Sequence, residues 1–348
     1  MNFALDDDQQ LIVETVRRFA DRDLRGWAAD ADRAGAAPDR LAALGGDLGF
    51  FTDAVPADAG GMLEGPYSHT TRALRGYELG RGCAALAAVL ETNVEPALAV
   101  GKWGSAAAKT QLFAALASGG LAAFAHDSRG LLTLDGDRLT GKIGPVPALA
   151  TAKHVLIATR DALVLATPEG VTAMTPSGWR AAAWATAVFA SARVEVLSRD
   201  PAAIAEVLSW ARVSLAARAA GVASVAMDHA EAYAKERIQF GQPIGTFESL
   251  IRLRDDAQTA AHAARLVALH AAWAIDRGLP SAADLASRAR VIAGDAVARS
   301  TIDAVQIFGG YGFVNDYPVE KLMRDARAFE ALHGDERLGR VLAQKAVQ

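Results

Sequence analysis

A single cysteine, Cys83, removes two classes of protein at once, because an intrachain disulfide scaffold and a thiolate metal cluster both need more thiols. Blocks of like charge are missing too. Lys and Arg are spread along the sequence, and a net charge of −4 gives no broad attraction to nucleic acid or to an anionic membrane. No uninterrupted apolar run reaches the roughly 20 residues that span a bilayer. The opening Met1-Asn2-Phe3-Ala4-Leu5 runs straight into Asp6-Asp7-Asp8, which lacks the basic-then-apolar order of a secretory leader. No Gly-x-Gly-x-x-Gly follows a strand pattern, so a Rossmann nucleotide site is set aside. Asp228, His229 and Glu231 have no companions at metal-ligand spacing and read as a solvated helix face, so no metal is expected. These absences predict a cytoplasmic protein with neither nucleic acid nor membrane as partner.

What is present is alanine, the residue that costs least inside a helix, in a chain long enough to need more than one core. Asp6 to Asp8 can cap a helix, and Leu11, Ile12, Val16, Phe19 and Ala20 follow at helical spacing. Further helices are expected near 39–45, 68–80, 83–101 and 105–117, with a Gly-, Pro- and Asp-rich loop at 51–65. After Gly119-Gly120 the pattern changes. Short runs at 138–140, 154–158, 162–166, 171–174 and 192–196 alternate with Gly, Pro and Asp, as in a small antiparallel sheet unit. Helical periodicity returns at Pro201 and holds over 202–236, 247–277, 281–308 and 318–346 with short breaks, the pattern of an antiparallel bundle. The predicted fold is mainly α with a small β-domain. It comprises an N-terminal helical domain (residues 1–118), a shortened middle antiparallel β-domain (119–200) and a C-terminal four-helix bundle (201–348).

Two breaks in the C-terminal half carry chemistry. Gln306-Ile307-Phe308-Gly309-Gly310-Tyr311-Gly312 sets three glycines just after a helix, where backbone N–H groups can approach phosphate oxygens. Arg237, in Glu236-Arg237-Ile238-Gln239-Phe240-Gly241-Gln242-Pro243-Ile244, ends its helix with a group suited to a pyrophosphate, and Phe240 adds a flat apolar face. Taken singly, the glycines also read as a helix-to-helix turn and Arg237 as a cation at a helix C-terminus. Their co-occurrence with Arg324-Asp325-Ala326-Arg327 gives the signal. So does the earlier series of Pro56-Ala57-Asp58-Ala59-Gly60-Gly61, Glu78-Leu79-Gly80-Arg81-Gly82 and Trp103-Gly104-Ser105. Over nearly its whole length the sequence resembles the acyl-CoA dehydrogenase family.

That resemblance implies an FAD enzyme assembled as a dimer of dimers. Each flavin would lie between the β-domain and bundle of one subunit, with its adenosine diphosphate tail held by the neighbour's bundle. Arg237, Phe240, Gln306, Gly309 and Gly310 match the cofactor-holding positions, and Arg212 matches an arginine near the thioester pocket. The implied reaction is α,β-dehydrogenation of an acyl-CoA thioester, in which a carboxylate takes the α-proton and the flavin takes hydride from Cβ.

The sequence departs from this pattern in three places. His333, before Gly334, stands where the family commonly carries its catalytic glutamate, and the family's second location for that base holds Ala211. Glu330, Asp335 and Glu336 are the nearest carboxylates. The Thr-Glu-Pro segment is replaced by His126-Asp127-Ser128-Arg129-Gly130, and the Trp-Ile-Thr stretch by Ile143-Gly144-Pro145-Val146. The losses fall on features facing a subunit's own flavin ring and substrate, whereas those holding the neighbour's nucleotide tail are kept. The leading expectation is therefore a partner subunit of a heteromeric acyl-CoA dehydrogenase, like the paired, shortened subunits of bacterial sterol side-chain catabolism. One alternative is a self-sufficient homo-oligomeric acyl-CoA or acyl-carrier-protein dehydrogenase that uses His333 or a nearby carboxylate. Another is a flavin-free scaffold. Trp210, Leu253 and Leu332 are candidate pocket walls, with core packing the plainer reading of each.

Overall fold

The computed structural model describes residues 4–333. Helix α1 (Asp7–Phe19) starts on a capping box: the Asp6 carboxylate accepts from the Gln9 amide, and the Gln9 side chain accepts from the Asp6 amide. It passes through one π-helical turn, Ala20–Leu24, into α2 (Arg25–Ala34), which ends at left-handed Gly35. The wider turn re-aims the apolar stripe, so Val13, Val16, Phe19, Ala20 and Leu24 are all buried.

After α3 (Arg40–Asp47) comes α4 (His69–Gly82), which crosses the long α8 (Pro201–Glu236) closely enough to require glycine on both helices. A Cβ on Gly80 would lie 2.3 Å from the Arg218 carbonyl oxygen, and one on Gly221 would lie 2.1 Å from that of Tyr77. The N-terminus of α4 is closed from far along the chain. Asp276 accepts from the His69 amide at 2.7 Å and the Thr70 amide at 2.9 Å.

The helix expected over 83–101 is two helices, α5 (Ala84–Leu90) and α6 (Val94–Trp103). The break between them frees polar side chains to hold the first strand. Asn93 donates to the Phe51 and Gly120 carbonyls and accepts from the Ala122 amide, and Thr92 donates to the Ala122 carbonyl. Among the described residues, Ala84–Trp103 is the one stretch with the length and hydropathy of a membrane span. It is interrupted by this break, and 83% of its apolar window is buried inside the protein. Helix α7 (Ala106–Ala117) completes the N-terminal helices.

Eight strands follow: β1 (Ala122–His126), β2 (Leu132–Asp135), β3 (Arg138–Val146), β4 (His154–Ala158), β5 (Leu163–Ala166), β6 (Thr172–Ala173), β7 (Ala185–Arg193) and β8 (Glu195–Ser198). They form two four-stranded sheets, ordered β1-β4-β5-β8 and β2-β3-β7-β6. Every pairing in them is antiparallel except β1 with β4, which is parallel.

Asp200 caps α8, and Pro201 occupies its first turn. At 36 residues α8 is about 54 Å long, and it forms the spine of the bundle with α9 (Glu248–Asp276), α10 (Ala282–Phe308) and α11 (Pro318–Glu330). A two-residue hairpin, β9 (Ile238–Gln239) with β10 (Gln242–Pro243), joins α8 to the rest. The last helix is shorter than the periodicity predicts. α11 stops at Glu330, and His333 lies beyond it at φ +57° rather than on a continuing helix. Gly334, Asp335 and Glu336 fall outside the described residues.

Candidate functional site

The residues singled out in the sequence separate into two places. The first is an open face at one end of the bundle. Arg237 ends α8 with no carboxylate within 4 Å among the described residues, and its guanidinium sits over the Tyr311 ring at 5.6 Å. Gly309 terminates α10 at φ +59° and ψ −134°, a conformation essentially reserved for glycine. Arg237, Gly309 and Gly310 line one recess of about 430 Å³, floored by Tyr233 stacked on Phe308 at 4.2 Å. A Cβ on Gly310 would meet nothing within 4 Å, so no packing inside this chain demands glycine there. Gln306 lies in the last turn of α10, exposed and with no side-chain hydrogen bond among the described residues.

Phe240 is not in the recess lining. It forms the tip of the β9–β10 hairpin, where Phe240 at φ +52° and Gly241 at φ +80° make a tight turn of the kind that favours glycine and asparagine. A phenylalanine there is strained, and Phe240 is also 94% exposed, with only an edge contact to Phe247.

The second place is a cleft of about 370 Å³ between β1, β3 and the residues after α11. His333 lies against the Phe124 ring, with centroids 5.1 Å apart, and its Nδ1 is shielded from solvent without a hydrogen-bond partner. Burial, then the charges of His126, Arg218, Arg290 and Arg212, hold its pKa well below the usual histidine value. His126, across the cleft, is likewise pushed down to about 4 by burial and Arg212. Arg212 is buried. It reaches the His333 carbonyl at 3.4 Å and the Ser287 hydroxyl at 3.3 Å, and burial lowers its pKa. Among the described residues, the nearby carboxylates Asp127 and Glu330 are already engaged. Asp127 accepts from the Leu131 and Leu132 amides with its two oxygens, and Glu330 pairs with Arg327 on α11. Leu332 lines the cleft, whereas Trp210 is core, stacked between His69 and Trp103, and Leu253 packs against the core.

Behind the cleft lies an ion network that the sequence reading missed. Arg72 makes a two-pronged pair with Glu95, Arg75 binds Asp53 and Glu91, and Glu91 also accepts from Ser214. Arg218 sits beside them over the Trp179 ring. The signal available was charge near the buried apolar stretch: Arg72 and Arg75 one turn apart on α4, and Glu91 and Glu95 on either side of the break between the apolar helices α5 and α6. His229, read as solvated, is half-buried beside Arg25 and Arg81, while its neighbours Asp228 and Glu231 pair with Arg81 and Lys235. No group of three metal-ligating side chains occurs among the described residues.

Two family models match in sequence order: the acyl-CoA dehydrogenase N-terminal domain over residues 6–120 and the acyl-CoA dehydrogenase C-terminal domain over residues 202–347. The chain belongs to the acyl-CoA dehydrogenase family. The two matches flank the β-rich stretch that holds two of the sequence departures. A Bacillus subtilis acyl-CoA dehydrogenase is 42% identical over 138 residues, an alignment spanning 40% of this chain and 36% of that protein. A probable acyl-CoA dehydrogenase of the same organism, YngJ, is 29% identical across 98% of both chains. Among solved structures, butyryl-CoA dehydrogenase from Megasphaera elsdenii superimposes with a TM-score of 0.87 at 25% identity, covering all of both chains.

Proposed function

We propose that this chain is the nucleotide-holding subunit of an acyl-CoA dehydrogenase built from two different chains, completing the FAD site of a catalytically intact partner. The observation that carries the reading is the state of His333. At the family's position for a carboxylate base stands an imidazole whose charged form is opposed by burial, three arginines and a second histidine. A base accepts a proton and becomes more positive, and these surroundings oppose that change. The space behind His333, toward the N-terminal helices, is narrowed to about 40 Å³ and lined by the charged Arg72, Glu91, Glu95 and Arg218, unlike an apolar channel for an acyl chain.

The residues of the open face fit the other half of the cofactor. Arg237 without a carboxylate partner among the described residues, an unobstructed Gly310 and the exposed amide of Gln306 suit the pyrophosphate and ribose of an FAD tail. Phe240, strained and exposed, suits a contact made by another chain or its ligand. When bound, FAD supplies the hydride acceptor for α,β-dehydrogenation. In this reading the present chain binds and orients the tail, and the partner supplies the carboxylate that takes the α-proton of an acyl-CoA thioester.

Expression alone and together with a full-length homologue that retains its glutamate tests the proposal. The chain alone is expected to purify with little flavin and no acyl-CoA oxidation, and the pair with both. A yellow, active homotetramer of this chain alone would overturn the reading in favour of a self-sufficient enzyme using His333. Unchanged flavin content in assemblies carrying Arg237→Ala or Gln306→Ala would favour a flavin-free scaffold role instead.

A further inference from the structure

Beyond the Phe124–His333 ring pair, away from the open cleft, lies a chamber of about 40 Å³ whose lining includes Arg72, Glu91, Trp179, Arg218 and His333. Four buried nitrogens on these side chains have no hydrogen-bond partner: Arg72 Nε, Trp179 Nε1, Arg218 Nε and His333 Nδ1. The first three can only donate. Arg72, Trp179 and Arg218 are 3%, 0% and 7% exposed, so bulk water does not satisfy them. An unmade hydrogen bond at such depth costs on the order of 1–3 kcal/mol each, so a shared cluster of them is the mark of a missing acceptor.

The carboxylates nearby do not fill that role. Glu95 is engaged by the two terminal nitrogens of Arg72, and Glu91 Oε1 by Arg75. Glu91 Oε2 accepts from the Ser214 hydroxyl at 3.0 Å and lies 3.9 Å from both Arg72 Nε and Arg218 Nε, too far for a hydrogen bond. Arg218 Nε is therefore left without a hydrogen-bond partner. Arg212, also buried and close enough to His333 to influence its charge, has no carboxylate within 4 Å among the described residues. The cations are left in excess of their partners on the His333 side.

We propose that the chamber is a small-anion site, taking a halide- or formate-sized monovalent anion held by the N–H groups of Trp179, Arg218 and Arg72. A single water has two lone pairs for three obligate donors, and it leaves the excess positive charge in place. An anion accepts from all three and offsets that charge. The volume admits one small ion. A carboxylate at the end of an acyl chain would have to pass the Phe124 and His333 rings, 5.1 Å apart between centroids, so the occupant is a free ion. The inference stands whether or not this chain turns over a thioester by itself.

Bromide is the probe. In crystals of the full chain in its native assembly, soaked in sodium bromide, an anomalous peak is expected between Trp179 Nε1 and the Arg218 guanidinium. Bromide peaks on the surface with only water density in the chamber would overturn the proposal. In solution, replacing gluconate by bromide at constant ionic strength is expected to raise Tm by about 2–4 °C in the native chain. The rise should vanish in Trp179→Phe, which keeps a large ring but removes the donor. An equal rise in both proteins would assign the effect to the surface and sink the idea. If Trp179→Phe does not fold, the crystallographic result on the native chain decides alone.

Discussion

The open face at the end of the bundle and the cleft beneath the sheets carry opposite kinds of unfinished business. On the open face the costs are conformational and exposed: a phenylalanine in a left-handed turn, an arginine with no counter-charge among the described residues and a glycine no neighbour requires. Around the cleft the costs are electrostatic and buried: arginines, histidines and carboxylates packed where water does not reach. Exposed strain is readily relieved by something arriving from outside. Buried charge, by contrast, is settled within the chain and fixes what the site can no longer do. The comparison teaches that substitutions in the two regions should be read out in different ways, the cleft through the stability of the chain and the face through what it holds.

Among substitutions the largest effect is expected from Arg72→Met, which strands Glu95 in the interior. Denaturant unfolding should show a loss of about 3–5 kcal/mol, and a loss below 1 kcal/mol would mean the network is not a stabilising unit. Acid comes next. Burial and Arg72 push His69 down to about 3, and burial and Arg212 push His126 down to about 4. Both histidines are therefore neutral in the folded chain while the unfolded chain gains protons below about pH 6.5. The stability they confer is fully present above pH 6.5. It is lost as pH falls from there toward 4, and His69 alone continues the loss toward 3, by on the order of 5–8 kcal/mol in total. A pH series of melts on the native chain and His69→Phe checks this, the variant being expected to show a distinctly shallower slope.

Smaller effects belong to the open face. Phe240→Gly should leave the isolated chain unchanged or up to about 1 kcal/mol more stable by relieving the left-handed backbone, while weakening assembly with a partner in analytical ultracentrifugation. Gly310→Ala is expected to move stability by less than about 0.5 kcal/mol yet to lower flavin content in the assembled complex. If Gly310→Ala instead destabilised the chain, the contrast between the two regions would fail at its clearest point.

Much of the architecture could be read from periodicity because the helices are long and their faces regular. The helices α8, α9 and α10 begin and end within a residue or two of the predicted bounds, since Pro201, Gly278 and the glycines from 309 punctuate them plainly. The sheet region was less legible. β4 is buried along its whole length and stood out, while β2, half exposed, and the first part of β7 carry too many small and polar residues to announce themselves. The helix break at Glu91–Asn93 escaped notice because its cause, the hold of Asn93 on Phe51, Gly120 and Ala122, joins parts of the chain about 30 to 40 residues away. For the sites, local signals were enough to pair Arg237 with Gly309 and Gly310, which meet around one recess. They could not show that Arg218, in the middle of α8, would lie with Arg72 of α4 behind His333, because that meeting depends on helix packing.

The bonds from Asp276 to His69 and Thr70 also set an order of events during synthesis. Helix α4 leaves the ribosome some two hundred residues before the carboxylate that caps it. Until α9 emerges, its first amides have only water and Ser68 to satisfy them. The cap that Asp276 gives α4 therefore reaches it only once α9 has been made. A chain stalled or cleaved before Asp276 would expose that unfinished end, together with the apolar surface of α5 and α6, to chaperones and proteases.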